Sequence, residues 1–338
     1  MGHNILITVV LPLYNKAHTI INTLTSVVTQ TYGNFEIIII DDGSTDNGAE
    51  IISQNFHDSR IRIISQPNTG VSAARNRGVA EAIGEYIAFI DGDDEWHPEY
   101  LEHIRKGIAL YPEAGMLCTG GVGTSILSPR ISYSIAKKYI NHITKLNFFE
   151  NPAALSHTSR TVVKKEVFLN AGGFPIKMKC CEDYALTQKI GLISEFVYIG
   201  LPLAKYIGGV PGQITSADQE TRYTLLDSVV EYYNHVMNFS QDKPNNKLFK
   251  IYFRYDIRHR IKGLLKQEPK WFNKFYYGLN EENKALLNPI EKKIYTHHWN
   301  KISSCWINIS KVIWRMRFYP IVGEQIDINT IPQKYRIW

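Results

Sequence analysis

Cysteine is scarce in this 338-residue chain, with only Cys118, Cys180, Cys181 and Cys305. Two of the four are sequence neighbours, a poor start for a disulfide framework, and none has zinc-finger spacing. Reduced thiols in a cytosolic chain are therefore expected. Long apolar runs are missing too. The best candidate for a membrane span, Ile190 to Val210, is broken by Glu195, Pro202 and Lys205 and reads as two short buried strands. Residues Met1 to Leu13 lack a basic n-region and a cleavage site, and Leu6 stands where a myristoylation signal needs Ser or Thr. Neither a leader nor an acyl anchor is expected. Eleven histidines are scattered without metal-ligand spacing, and Walker-type loops, serine elbows, internal repeats and low-complexity stretches are absent.

What remains is an ordinary globular composition, 44% hydrophobic and 21% charged. The length suits one large α/β domain plus a smaller unit. The net charge of +6 conceals an asymmetry. From Asp242 onward there are 19 Lys/Arg and 8 Asp/Glu, a net +11, whereas the preceding residues carry 19 and 24, a net −5. An acidic front and a basic rear imply two jobs.

The first hundred residues alternate strand and helix. Strands are expected at Ile7–Pro12, Phe35–Asp41, Ile61–Ser65 and Tyr86–Ile90. The run Ile37-Ile38-Ile39-Ile40 suits a strand buried on both faces of a parallel sheet. Helices are expected near Thr19, after Ser44-Thr45-Asp46, from Gly70 to about Ala82, and with Pro98 in a first turn. Such alternation means a doubly wound sheet with right-handed crossovers. Shorter strands follow at Met116–Thr119, Thr161–Val163, Glu195–Tyr198 and Leu203–Ile207. After about Ser216 glycine thins out and helical periodicity takes over. The expected division is 1–215 for an α/β domain and 216–338 for a basic, aromatic-rich helical region.

Polar residues cluster where the strands end. Asn15 follows the first strand, Asp41 and Asp42 end the second, and Asp91, Asp93 and Asp94 follow the fourth. In an open parallel sheet the ligand crevice lies at those carboxyl ends. Three carboxylates within Asp91-Gly92-Asp93-Asp94 repel one another, and a hard divalent cation bridging to substrate phosphates relieves the conflict. A solvated turn is the plainer reading, but the burial of the preceding strand and the second acidic strand end favour the metal. Asp41-Asp42-Gly43-Ser44 reads equally as a tight turn or as a nucleoside-binding carboxylate pair. Arg75 either belongs to a solvated basic face with Arg77 or turns to the crevice to meet the acidic cluster or a phosphate. Glu182-Asp183 opens a helix, where the dipole alone would favour acids; the functional alternative makes Asp183 a general base.

Read in order, Val9-Val10-Leu11-Pro12-Leu13-Tyr14-Asn15, Ile40-Asp41-Asp42-Gly43-Ser44-Thr45-Asp46, Asn68-Thr69-Gly70-Val71-Ser72-Ala73-Ala74-Arg75-Asn76, Phe89-Ile90-Asp91-Gly92-Asp93-Asp94, Gly172-Gly173-Phe174 and Glu182-Asp183-Tyr184-Ala185-Leu186 span roughly the first 210 residues. In order and spacing they resemble the family 2 glycosyltransferases with the GT-A fold, a Rossmann-like, mostly parallel sheet flanked by helices. The resemblance implies an inverting transfer of a sugar from a nucleotide diphosphate donor, UDP by family default, to a hydroxyl of a saccharide or lipid-linked saccharide in envelope polysaccharide synthesis. It implies that Pro12, Tyr14 and Asp42 line the nucleoside pocket with Asp41 close by, and that Asn15, Arg75 and Asp91 belong to the same donor site. Asp91 and Asp93 become the DxD pair holding Mn²⁺ or Mg²⁺, with Asp93 the direct ligand. Asp183 becomes the catalytic base, and Glu182 an acceptor-side or supporting group. The chain departs from the family pattern at Lys16, where an acidic residue often follows the asparagine. It also has no histidine between Tyr206 and Ser216 to complete a metal shell.

The basic rear contains one further pattern. Trp299, Ile302, Trp306, Ile309, Ile313 and Met316 form a helical apolar stripe, with Lys301, Lys311, Arg315 and Arg317 around it. Such a helix packs on its own domain or docks on an anionic membrane; the second suits a membrane-presented acceptor and a peripheral place on the inner face of the cytoplasmic membrane. Other classes fit less well. A receiver domain needs a lone phosphorylatable aspartate and stops near 120 residues, and a nucleic-acid binder is disfavoured by the acidic crevice. An inactive nucleotide-sugar-binding protein is the alternative to an active transferase.

Overall fold

The computed structural model describes residues 5–150, 157–210, 213, 219–297, 301–302, 305–309, 312 and 326–336. The chain opens as β1 (Ile7–Leu13), α1 (Ile20–Val28), β2 (Phe35–Asp42), α2 (Gly48–Asn55), β3 (Ile61–Gln66), α3 (Val71–Glu81) and β4 (Tyr86–Phe89). Strands β3, β2, β1 and β4 lie side by side and parallel, so four carboxyl ends face one way. Ile37 to Ile40 are fully buried, as an uninterrupted β-branched run requires when both sheet faces are covered. The register aligns Leu13 with Asp41 and Asp42 with Gln66, and this alignment assembles the polar edge.

Helix α3 lies close against the sheet because of one glycine. A Cβ on Gly78 would stand 2.4 Å from Val10 Cγ1. The approach sets the height of Arg75 one turn earlier on the same helix. The caps differ in detail from the sequence expectation. Asn47 rather than Ser44, Thr45 or Asp46 is the N-cap of α2, while Asp46 accepts hydrogen bonds from Ala17 N and Gly48 N.

After β4 come β5 (Glu95–Trp96), α4 (Tyr100–Leu110), β6 (Ala114–Ser125), β7 (Ser128–Ser134), β8 (Ile143–Leu146), β9 (Thr161–Lys164), α5 (Lys165–Asn170), α6 (Glu182–Ile193) and β10 (Glu195–Gly208). Pro98 lies just before α4 rather than in its first turn, with Glu99 as N-cap. Strand β9 inserts antiparallel between β4 and β6, which carries residues 158–160 to the end of β4. The two short strands expected between Glu195 and Ile207 are one strand, β10. Its pairing with β6 shifts register around Pro202, which has no N–H to give a ladder, so a bulge absorbs what the sequence suggests is a break.

The helical region runs α7 (Gln219–Thr224), α8 (Leu226–Phe239), α9 (Asn246–Leu264), α10 (Pro269–Gly278), α11 (Glu281–Ala285) and α12 (Pro289–Thr296). The boundary expected at 215/216 lies outside the described residues. The region shares the core of the α/β part: Tyr232 packs on Tyr184, Phe149 on Phe249, and Asn245 Nδ2 donates to Gly191 O at 2.9 Å. Residues 326–336 return to α4, where Lys334 Nζ and the Tyr335 hydroxyl both donate to Glu99. Of the expected C-terminal stripe, Ile302, Trp306 and Ile309 are exposed, whereas Ile307, off the stripe, is buried. Trp299, Ile313, Met316, Lys311, Arg315 and Arg317 lie outside the described residues. Among the described residues no helix is long and apolar enough to cross a membrane.

Candidate active site

The edge formed by β1, β2 and β4 gathers most of the residues singled out above. Asn15 takes a left-handed backbone conformation (φ 52°) that turns the chain sharply after β1. Its Oδ1 accepts from Thr45 N at 2.8 Å and Asp46 N at 3.3 Å, pinning the β1 end to the β2 end. Asn15 is thus an organiser of the crevice wall. Pro12 is half-buried at the rim, and Tyr14 is 47% exposed beside it, open to stack on a ligand.

Asp41 and Asp42 have different environments. Asp42 is buried, with Oδ1 accepting from Gln66 Nε2 at 2.7 Å and Thr69 N at 2.9 Å, and Oδ2 accepting from Gly70 N at 2.8 Å. It ties the turn that launches α3, whose N-cap Gly70 needs φ 92°. Asp41 is half-buried, and its Oδ1 accepts from Ser44 N at 3.0 Å. Of the pair, Asp41 is the more exposed and the less engaged by the hydrogen bonds described.

Arg75 is the hub. Almost fully buried, it donates through Nη2 to Asp91 Oδ1 at 2.6 Å and through Nη1 to Glu182 Oε1 at 3.1 Å, and its guanidinium lies 5.2 Å from the Phe174 ring centroid. Burial opposes its charge, but Asp91 and Glu182 more than offset this and raise its pKa. Arg77, two residues on, pairs with Glu81 on the solvent side. One buried cation on α3 therefore joins the end of β4 to the start of α6, reaching Glu182 107 positions further along the chain.

The acidic turn after β4 holds three carboxylates in three different environments. Burial would raise Asp91, yet Arg75 beside it holds it below the ordinary carboxylate value. Asp94 is buried and pushed well above that value, first by burial and then by the Asp91 charge. Ser159 Oγ donates to its Oδ2 at 2.6 Å. His157, 3.6 Å from Asp94, is driven down to about 4 by burial and by Arg160, so this pair carries no ionic attraction at neutral pH. Asp93 Oδ2 receives Lys16 Nζ at 2.6 Å and Gln213 Nε2 at 3.1 Å.

Glu182 and Asp183 open α6 behind Cys181, whose φ of 65° turns the chain into the helix. Asp183 is raised to about 7, by burial first and the Glu182 charge second, with Arg75 partly offsetting both. Its Oδ1 accepts from Tyr184 N at 2.8 Å. It lines a small open pocket together with Phe89, His157, Phe174, Tyr184 and Thr187. A carboxylate that titrates near neutrality on the wall of a pocket is suited to accept a proton from a hydroxyl.

The residues also bear on a metal. Among the described residues no three His, Cys, Asp or Glu side chains gather into a metal-binding group. Asp91 Oδ1 is bonded to Arg75 and Asp93 Oδ2 to Lys16 and Gln213, so the chain itself engages one oxygen of each carboxylate. One or two carboxylates completed by substrate phosphate oxygens is a donor set that Mg²⁺ accepts, so these residues fit a divalent ion held from Asp93 with Asp91 behind it.

Sequence reasoning did not assign roles to Lys16, His157, Ser159 or Gln213. The departure at Lys16 was the only signal for its place. The others come to the acidic turn through the antiparallel insertion of β9 and the segment after β10, neither of which leaves a motif.

Comparison with known proteins supports the same picture. Residues 8–166 match the glycosyl transferase family 2 profile. An uncharacterized glycosyltransferase of Rickettsia felis is 46% identical over 100 residues, which cover 30% of this chain and 17% of the relative. The chain thus spans about a sixth of that relative's length. The amylovoran biosynthesis glycosyltransferase AmsB of Erwinia amylovora is 26% identical over 312 residues, covering 85% of this chain and 97% of AmsB. The crystal structure of S. aureus TarS 1–349 in complex with UDP-GlcNAc superposes with a TM-score of 0.64 at 17% identity, covering 95% of this chain and 99% of that one. TarS shows the fold alone: the GT-A sheet with a helical C-terminal region. On this sequence match, residues 8–166 form a glycosyl transferase family 2 domain.

Proposed function

We propose that the chain is an inverting glycosyltransferase that moves a sugar from a nucleoside diphosphate donor, of the UDP-sugar class, to a hydroxyl of a saccharide or lipid-linked saccharide in polysaccharide synthesis. The observation that carries the reading is the Arg75 bridge. It sets a donor-side carboxylate, Asp91, and the α6 acids at opposite ends of one guanidinium, with Asp183 near 7 on the pocket wall. The bound partners named for TarS, and the polysaccharide route named for AmsB, support the donor class and the pathway.

In this reading Tyr14 and Pro12 bracket the base, Asp41 accepts from the nucleoside, and Asn15 and Asp42 fix the loops on which those groups sit. A divalent ion held by Asp93 and Asp91 would neutralise charge on the departing diphosphate. Arg75 fixes Asp91 and keeps Glu182 and Asp183 from being buried without compensation. Asp183 takes the acceptor proton on the side of the anomeric carbon away from the leaving group, and a single displacement inverts that centre, as it does in inverting glycosidases.

The exposed Ile302, Trp306 and Ile309, next to Lys301 in a region of net positive charge, support contact with an anionic membrane surface that presents the acceptor. The test of the donor class is calorimetric titration with UDP, GDP and CDP in the presence of Mn²⁺, alongside Asp93→Ala. Binding of one nucleotide, weakened in the variant, is expected. Binding of none would overturn the reading, and binding without turnover on any hydroxyl acceptor would favour an inactive binder.

A further inference from the structure

Lys16 lies at the carboxyl end of β1 with its ammonium 2.6 Å from Asp93 Oδ2, and its side chain is only 18% exposed. This is not a swinging surface lysine. Its carbonyl accepts from Thr19 N at 3.0 Å and Ile20 N at 2.9 Å, and the Thr19 hydroxyl donates to Gly92 O at 2.7 Å, so the segment is sewn to the acidic turn. The aliphatic stem lies over that turn: a Cβ on Gly92 would stand 3.2 Å from Lys16 Cγ. The same Asp93 oxygen accepts from Gln213, whose amide also donates to Ile207 O at 2.8 Å. The carboxylate is therefore aimed and charge-compensated by the chain's own groups.

A divalent ion coordinated by Asp93 would lie about 2.1 Å from its oxygen, only a few ångströms from this ammonium. Two cations so close repel strongly outside bulk water. Lysine is itself an effective point-charge binder of phosphate. We propose that Lys16 is a donor-binding residue whose ammonium takes the nucleotide diphosphate and shares Asp93 with the divalent ion, so that the crevice holds a nucleoside diphosphate without metal. This inference rests on the donor site described under Proposed function.

The test is titration of the wild type, Lys16→Met and Lys16→Gln with UDP, GDP and CDP, once in EDTA and once in Mn²⁺, with thermal melts to confirm that each variant folds. The wild type should bind one nucleotide in EDTA. Both variants should bind it about tenfold or more weakly there, while in Mn²⁺ they stay within about threefold of wild type, because the ion takes over the released carboxylate. Wild-type binding that requires Mn²⁺ overturns the inference and leaves the donor site intact. Equal weakening of the variants under both conditions also overturns it, since that marks a purely structural lysine. Absence of nucleotide binding in every condition removes the donor site and the inference together.

Discussion

Replacing Asp183 with Asn should make the protein more stable while stopping transfer. The folded-state value of about 7 lies roughly 3 pH units above the ordinary value of 3.8. The folded chain therefore binds this proton more tightly than the unfolded chain does. Stability falls as pH rises from about 4 to about 7, and the full cost is present above 7. At about 1.4 kcal/mol per unit the ceiling is roughly 4 kcal/mol, and water reaching the half-buried carboxyl reduces it to about 2–4. Asp183→Asn removes the ionised form and with it this cost. Its melting temperature near pH 8 should exceed wild type by several degrees, and the gap should shrink by more than half near pH 5. Transfer should drop by ~10²–10⁴-fold, and wild-type kcat/KM should fall about tenfold per unit below pH 7 as the base is protonated. Equal melting at pH 8, or a gap that does not change with pH, would refute the burial argument. Near-normal turnover of the variant would refute the assignment of the base.

Other perturbations probe the frame around that base. Arg75→Met leaves Asp91 and Glu182 buried without their cation and should lower stability by roughly 3–5 kcal/mol, read by chemical denaturation; a loss under 1 kcal/mol would contradict its role as hub. Gly78→Ala forces a methyl into Val10 and should lower stability by about 1–3 kcal/mol through displacement of α3; an unchanged denaturation midpoint would mean that the helix has room. Replacing Ile302, Trp306 and Ile309 with Glu should abolish co-sedimentation with vesicles containing anionic lipid and leave nucleotide binding unchanged; retained sedimentation would remove the membrane reading.

The parallel half of the fold is legible in the sequence because its strands announce themselves. Four isoleucines in a row need a doubly covered strand, and carboxylates at strand ends converge by topology alone. Asp91, Asp93 and Asn15 follow from that rule. The geometry reveals the division of labour between Asp41 and Asp42, which depends on Gln66 and Thr69 reaching back from the next loop. The burial of Asp94 against Ser159 depends on a strand running against the others. Pro202 and Lys205 look like breaks in β10, but the pairing tolerates them through a bulge. Local pattern reads the elements; contacts between residues 77 or 107 positions apart, such as Lys16–Asp93 and Arg75–Glu182, leave no such pattern.

Hydrogen exchange read by mass spectrometry, with and without UDP, GDP and CDP, tests the central claim most directly because it locates the donor without needing an acceptor. One nucleotide should slow exchange in residues 41–46, 66–75 and 91–95 and leave α9 and α10 unchanged. Protection confined to the basic helices, or no protection by any of the three, would contradict the account.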